Sequence, residues 1–155
     1  MKILDFLDKE AISTDLKSKD KEGVINELVD LLAQVGKVKN KKKMVRILLE
    51  RESLGSTGIG QGIAIPHGKS PDIKEMKAAL GISKRGINFD ALDGEPVYIF
   101  FLLLAPVNSA GPHLKALARI SRLLKDKYFR DSLRKATDKQ TVIKIIKQEE
   151  DDMGD

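Results

Sequence analysis

The feature that most constrains the fold is an apolar run of about ten residues, Val97 to Pro106, which reads VYIFFLLLAP. It lacks the alternation of polar and apolar residues that marks a strand with one face in water. It is also about half the length of the ~20 apolar residues that cross a bilayer. A turn signal, Asp93-Gly94, precedes it. The run therefore predicts a central strand that is covered on both faces.

Periodic apolar residues before the run predict the elements on its N-terminal side. Apolar spacing of three and four residues predicts one helix capped by Ser18 and closed by Gly36, and a second capped by Asn40 and ended by Gly55. Short apolar segments predict strands at residues 63–65, 78–83 and 87–92.

The last third of the chain is predicted to be helical. Pro112 suits the first turn of one helix, a short helix follows around Phe129, and Thr137 with Gln140 forms a capping box for the last one. Helices, then strands, then helices predict the α/β class: a single domain with a mixed β-sheet flanked by α-helices. We expect this domain to span residues 1–150, with a frayed tail over 151–155.

Composition narrows the class of protein. The 155 residues include no cysteine, which excludes disulfides and thiolate metal sites. The N-terminus carries acidic residues that a signal peptide lacks. The net charge of +5 is spread widely, and the one basic run, residues 37–43, has no aromatic residues between its lysines to stack on bases. We expect a cytoplasmic protein without membrane insertion, with a solvated lysine loop rather than a nucleic-acid partner.

A glycine-rich stretch, STGIGQGIAIPHGKS at residues 56–70, raises the possibility of a phosphate-binding loop. The P-loop pattern requires four residues between its first glycine and the Gly-Lys pair, whereas five separate Gly62 from Gly68. Pro66 removes an N–H from the would-be cradle, and Pro71 stands where a helix should have begun. The dinucleotide pattern G-x-G-x-x-G also fails, because residue 63 is isoleucine. The stretch is better suited to presenting a histidine.

The two histidines and one arginine form the candidate site. His67 follows Pro66, which stiffens its approach, and His113 opens the inward face of a predicted helix. Arg51 extends the inward stripe of the second helix. A neutral imidazole suits attack on phosphorus, and a guanidinium with a helix N-terminus suits a phosphoryl group. Alternatively, each histidine is structural and Arg51 only complements the helix dipole. No metal-ligand spacing accompanies the histidines.

Residues 51–68 resemble the signature of the type 2 EIIA proteins, the fructose, mannitol and nitrogen-regulatory EIIA components of the bacterial phosphoenolpyruvate-dependent phosphotransferase system. Further similarity lies in FDALDGEPV at 89–97 and HLKALARISRLL at 113–124. The resemblance covers nearly the whole chain. It implies the mannitol-type EIIA fold, a mixed sheet flanked by helices with the active histidine in a shallow depression.

The resemblance also implies roles for the site. His67 would accept a phosphoryl group at Nε2 from the histidine-containing phosphocarrier protein and pass it to a cysteine of an EIIB domain. Arg51 and His113 match the auxiliary positions that bind this group, and no cofactor is implied. We further expect Thr57, Gly60 and Gly62 to contribute to phosphoryl binding or to hold the loop close.

Two functional branches share this signature. In one, the chain feeds a fructose- or mannitol-type permease. In the other, it is a nitrogen-regulatory EIIA whose phosphorylation state controls target proteins without moving sugar. The sequences SLGSTGIGQGIAIPHGKS and HLKALARISRLLKD resemble the fructose branch and favour sugar transport, whereas the lysine run does not distinguish the two branches. Nucleic-acid binding through that run is a third interpretation.

Overall fold

A computed structural model describes residues Met1–Gly154, with five α-helices, six β-strands and a short 3-10 helix, Ile3–Asp5, among them. In chain order the elements are β1 (Leu7–Ser13), α1 (Lys21–Gln34), α2 (Lys41–Ser53), β2 (Gly58–Gly60), β3 (Ile63–Ala64), β4 (His67–Lys69), β5 (Lys77–Ile87), β6 (Val97–Ala105), α3 (Ala110–Leu123), α4 (Lys127–Lys135) and α5 (Lys139–Met153).

The apolar run is strand β6, and it lies at the centre of the sheet. Along one side β6 pairs antiparallel with β5, which in turn pairs with the parallel strand β1. Along the other side it pairs in parallel with β3 and then with β4, and β2 lies antiparallel to β3 at the far edge. The predicted mixed sheet is therefore confirmed.

Helices cover both faces of this sheet. Phe101 and Leu103 of β6 pack on the side of α3, α4 and α5, whereas Phe100 and Leu102 pack on the side of α1 and α2. None of these four side chains is more than 1% exposed. The absence of alternation in the run thus has the predicted cause, because successive side chains point to opposite faces and both faces are buried.

Strand β5 differs from the sequence-based expectation. The two strands predicted at 78–83 and 87–92 are one strand, Lys77–Ile87, with an irregular register between Ile82 and Ile87. Gly86, with φ of +83°, lies in this bulge. Residues 88–92 form a loop instead. Strand β1 was not predicted, because this edge strand carries Asp8, Lys9 and Glu10 in its first half.

Two helix starts also lie elsewhere. Asp20, rather than Ser18, caps α1 by accepting the N–H of Gly23 at 2.7 Å. Asp138, rather than Thr137, caps α5. In each helix the cap is a carboxylate one or two residues after the predicted cap. A carboxylate is favoured there because it also complements the positive end of the helix dipole. The predicted cap of α2 is confirmed, since the Asn40 side chain accepts the N–H of Lys43.

The C-terminal helix runs past the predicted domain boundary at residue 150. Asp151–Met153 belong to α5, while Asp155 lies outside the described residues. The reason is Glu150, which is 3% exposed. Its carboxylate accepts the N–H of Ile3 at 3.0 Å and forms an ion pair with Arg119 at 2.9 Å. These contacts hold the last turns of α5 against α3 and the N-terminus.

None of the helices within Met1–Gly154 has both the length and the apolar character needed to cross a membrane.

Candidate functional site

Strand β4 presents His67 beside the second half of β6. His67 is aligned with Leu103, and the carbonyl of Pro66 accepts the N–H of Leu103 at 2.9 Å. A Cβ at Gly68 would lie 3.1 Å from Ile47 Cγ2. The glycine therefore lets β4 pack closely against α2, which carries Arg51. This packing explains why a glycine follows His67 at this point of the strand.

Hydrogen bonding selects one nitrogen of His67 for chemistry. Nδ1 lies 2.7 Å from the carbonyl oxygen of Ile65, a contact in which a protonated Nδ1 donates. Nε2 then carries the lone pair of the neutral ring. Burial lowers the pKa of His67, and the Arg51 charge lowers it further, against opposing effects from the Ile65 carbonyl and Glu52. The half-buried imidazole is therefore neutral near pH 7, the form in which Nε2 is able to act as a nucleophile.

His113 lies directly against His67 in the first turns of α3. The ring centroids are 5.5 Å apart, the rings meet edge to face at 84°, and His113 is 5% exposed. Its Nε2 is buried and has no hydrogen-bond partner within residues 1–154. Burial, followed by the charges of His67 and Lys69, lowers the pKa of His113 to about 4. His113 therefore places an uncharged ring with an unused nitrogen at the site.

The start of α3 adds backbone groups to the same place. Ser109 is the N-cap, yet its side chain makes no capping hydrogen bond and instead donates to the Pro106 carbonyl at 2.6 Å. The first N–H groups of a helix have no partner within the helix and favour negative charge. The site thus offers an anion both His113 and the N-terminal end of a 14-residue helix.

Arg51 approaches from the last turn of α2. Its Nη1 donates to the carbonyl of Gly55 at 2.9 Å, and its charge acts on His67. The structure therefore brings together three of the predicted site residues, His67, His113 and Arg51. They come from a strand and two helices that the sheet holds side by side.

Thr57, Gly60 and Gly62 are placed differently from these three. Thr57 is buried, and its hydroxyl donates to the carboxylate of Glu52. Gly60 and Gly62 flank the turn between β2 and β3, which Gln61 ties to Asp93 through a 3.0 Å hydrogen bond. The β6 partners of Ile63 and His67 are four residues apart, so about 13 Å of strand separates this turn from His67. The structure does not bring the two glycines to the histidine.

Sequence reasoning missed Glu52 and Lys69. Glu52 is 6% exposed, and its charge acts to raise the pKa of His67. The charge of Lys69 acts to lower the pKa of His113. The signal for Glu52 was its position four residues after Leu48, on the buried stripe of α2. A carboxylate on such a stripe indicates a buried side chain that is paired with hydrogen-bond donors or a cation. Within the described residues, no group of three or more His, Asp or Glu side chains is placed to hold a metal ion.

Comparison with known proteins gives the family. Residues 5–149 match the family model described as "Phosphoenolpyruvate-dependent sugar phosphotransferase system, EIIA 2". The chain is 40% identical to the fructose-specific EIIABC component of Bacillus subtilis over 96% of its length, and spans 23% of that longer protein. It is also 40% identical to a nitrogen regulatory protein of Bradyrhizobium diazoefficiens, covering 94% of this chain and 95% of that one.

A solved structure is similar throughout. The nitrogen regulatory protein IIA-Ntr of Neisseria meningitidis superposes with a TM-score of 0.85 at 33% identity, over 92% of this chain and 97% of that chain. The resemblance inferred from residues 51–68 is thus confirmed over most of the chain. The chain belongs to the EIIA type 2 family of the phosphoenolpyruvate-dependent sugar phosphotransferase system.

Proposed function

We propose that this chain is a cytoplasmic phosphocarrier that accepts a phosphoryl group on Nε2 of His67 from the histidine-containing phosphocarrier protein. It then passes the group to the cysteine of an EIIB domain that serves uptake of a fructose- or mannitol-type sugar. The observation that carries this proposal is the 2.7 Å contact between His67 Nδ1 and the Ile65 carbonyl. That contact leaves Nε2 as the nucleophilic nitrogen of the neutral ring.

The transfer is a substitution at phosphorus. The Nε2 lone pair forms the new P–N bond while the bond to the donor imidazole breaks, and the donor nitrogen leaves with its electron pair. The proton on Nδ1 stays hydrogen-bonded to Ile65 throughout. In the second transfer a cysteine thiolate attacks the same phosphorus, and the His67 nitrogen becomes the leaving group. Each step exchanges one bond to phosphorus for another.

The surroundings of His67 stabilise the transferring group. The phosphoryl oxygens carry negative charge, which the Arg51 guanidinium and the start of α3 complement. His113 Nε2, which is buried and has no hydrogen-bond partner within Met1–Gly154, would supply a further polar atom beside the phosphorus. Preorganised partners of this kind act most strongly where charge is concentrated in the transition state.

Access to the site fits transfer between proteins. His67 is half-buried rather than enclosed. Leu54, three residues after Arg51, is 84% exposed, and Leu114, next to His113, is 67% exposed. Apolar side chains at the edge of a charged site provide contact area for a protein partner that must reach the imidazole.

The test is phosphorylation by purified components. The chain is incubated with phosphoenolpyruvate, enzyme I and the phosphocarrier protein, and the product is weighed intact. We expect the wild type and His113→Ala to gain one acid-labile phosphoryl group, and His67→Ala to gain none. No gain by the wild type, or a gain that survives His67→Ala, would overturn the proposal.

A second candidate function has its own support. The chain matches a nitrogen regulatory protein almost from end to end, over 95% of that protein. In this alternative the phosphorylation state of His67 controls binding to target proteins without sugar transport. The phosphorylated chain is mixed with a fructose-type EIIB domain to separate the two. Transfer to the EIIB cysteine supports the sugar branch, whereas retention of the group on His67 supports the regulatory one.

A further inference from the structure

Glu52 is a buried charged side chain that the proposed transfer does not use directly. It lies next to Arg51 in α2, and its carboxylate holds Thr57 twice. The backbone N–H of Thr57 donates to Oε1 at 3.2 Å, and the Thr57 hydroxyl donates to Oε2. Lys21 Nζ lies 3.3 Å from Oε1 and pairs the charge. A buried carboxylate with this many partners fixes the groups that it holds.

Hydrogen bonds lead from this pair to Arg51. In the turn after α2, the N–H of Gly55 donates to the backbone carbonyl of Glu52 at 3.1 Å. The carbonyl of Gly55 in turn accepts from Arg51 Nη1 at 2.9 Å. Thr57, two residues further on, anchors the other end of the turn to the Glu52 side chain. The direction of the guanidinium therefore depends on a turn that the Glu52 backbone holds at one end and the Glu52 carboxylate holds at the other.

Hydrogen bonds lead from the same pair to His67. The carbonyl of Thr57 accepts the N–H of Ile65 at 3.0 Å, and the carbonyl of Ile65 accepts from His67 Nδ1 at 2.7 Å. Hydrogen bonds thus link Thr57 to His67 through Ile65, and to Arg51 through Glu52 and Gly55. The Thr57 hydroxyl is engaged by Glu52 and is directed into the protein.

We propose that Glu52, acting through Thr57, is a positioning residue that fixes the Arg51 guanidinium relative to the His67 imidazole during phosphoryl transfer. The inference rests on the proposed function and adds to it a role for two residues that do not touch the phosphoryl group. It also replaces the expectation that Thr57 binds phosphate. A displacement of about 1 Å between reacting groups can cost about a hundredfold in rate.

Three substitutions probe the pair with little change in shape. Glu52→Gln removes the charge and one of the two acceptors. Thr57→Val removes only the hydroxyl, and Thr57→Ser restores it. Glu27→Gln is the matched control, because Glu27 on α1 holds the N–H of Ser18 at 2.9 Å and its hydroxyl at 2.7 Å by the same chemistry. Melting temperatures are measured for all four variants.

The readout is the single-turnover transfer rate from phosphorylated phosphocarrier protein, with the donor concentration that gives half the maximal rate. We expect Glu52→Gln and Thr57→Val to lower the maximal rate about tenfold or more, with little change in that concentration. Thr57→Ser and Glu27→Gln should stay near the wild-type rate, even where Glu27→Gln lowers the melting temperature.

Coupling to Arg51 separates positioning from a general loss of structure. Because the benefit lies in the placement of Arg51, Glu52→Gln should cost little more in an Arg51→Ala background. Wild-type rates in both Glu52→Gln and Thr57→Val overturn the inference, as does an undiminished further loss in Arg51→Ala. Should Glu52→Gln not fold, Thr57→Val and Thr57→Ser decide. A wild type that takes no phosphoryl group instead contradicts the proposed function itself.

Discussion

His67 and His113 meet edge to face with their ring centroids 5.5 Å apart. The two rings differ in their partners: Nδ1 of His67 is bonded to Ile65, while Nε2 of His113 is buried without a hydrogen-bond partner among the described residues. An unpartnered buried polar atom costs free energy in the resting protein. A phosphoryl group on His67 would supply the partner that His113 lacks.

Phosphorylation should therefore raise the pKa of His113. In the resting protein burial is the main cause that lowers this pKa to about 4, so the ring is neutral near pH 7. Negative charge placed beside a histidine favours its protonated form. Titration of the His113 ring by NMR, before and after phosphorylation, measures the change. An unaltered pKa would show that the phosphoryl group does not approach this ring.

Protonation of His113 also makes stability depend on pH. Its pKa in the folded protein, about 4, lies below the ordinary 6.5, so between these values the unfolded chain binds more protons. The free energy of unfolding should have its full value above about pH 6.5 and should fall as the pH drops towards about 4. Urea unfolding at several pH values measures this slope. His113→Gln should flatten it, and an identical slope in the variant would contradict the assignment.

Removal of Arg51 should slow transfer without unfolding the chain. Arg51→Ala removes a charged partner of the transferring group and should lower the single-turnover rate about 10²- to 10³-fold, as for a lost oxyanion donor. Arg51→Lys keeps the charge but loses the planar guanidinium, so its transfer rate should lie between those of the wild type and Arg51→Ala. Arg46→Ala, an exposed arginine on the same helix, is the control. A wild-type rate in Arg51→Ala would remove Arg51 from the site.

Glu150 should be important for stability. Glu150→Ala leaves Arg119, whose side chain is 11% exposed, without its ion-pair partner, and leaves the Ile3 N–H unpaired. Loss of one member of a buried ion pair typically costs about 3–5 kcal/mol in the free energy of unfolding. Its neighbour Glu149 is the control. Burial and Asp126 raise the pKa of Glu149 to about 7, so this side chain is only partly charged near pH 7 and its removal does not leave a buried cation unpaired. Equal urea stability of Glu150→Ala and Glu149→Ala would refute this role.

The centre of the sheet and the placement of the site residues His67, His113 and Arg51 could be predicted because their signals are local. A strand with an unbroken apolar run is expected to be covered on both faces, and β6 is buried on both faces. His113 and Arg51 follow the apolar stripes of their own helices, so 3.6-residue periodicity aims them inward.

The rest depended on pairing that no local pattern carries. Gly60 and Gly62 belong to the same glycine-rich stretch as His67, but β3 and β4 run along successive parts of β6, which separates the glycines from the histidine. Strand β1 is polar in its first half and pairs with β5 at the edge of the sheet. Glu52 was overlooked because a charged residue at the end of a helix is usually solvated. Its burial depends on Thr57 and Lys21, and only the folded chain brings them together.

The most direct test of the central claim is an NMR measurement of which nitrogen carries the phosphoryl group. The chain, labelled with ¹⁵N in its histidine rings, is phosphorylated and its long-range ¹H–¹⁵N correlations are recorded. We predict that Nε2 of His67 shifts and couples to phosphorus while Nδ1 keeps its proton. A phosphoryl group on Nδ1 of His67, or on His113, would contradict the geometry of the 2.7 Å contact with Ile65.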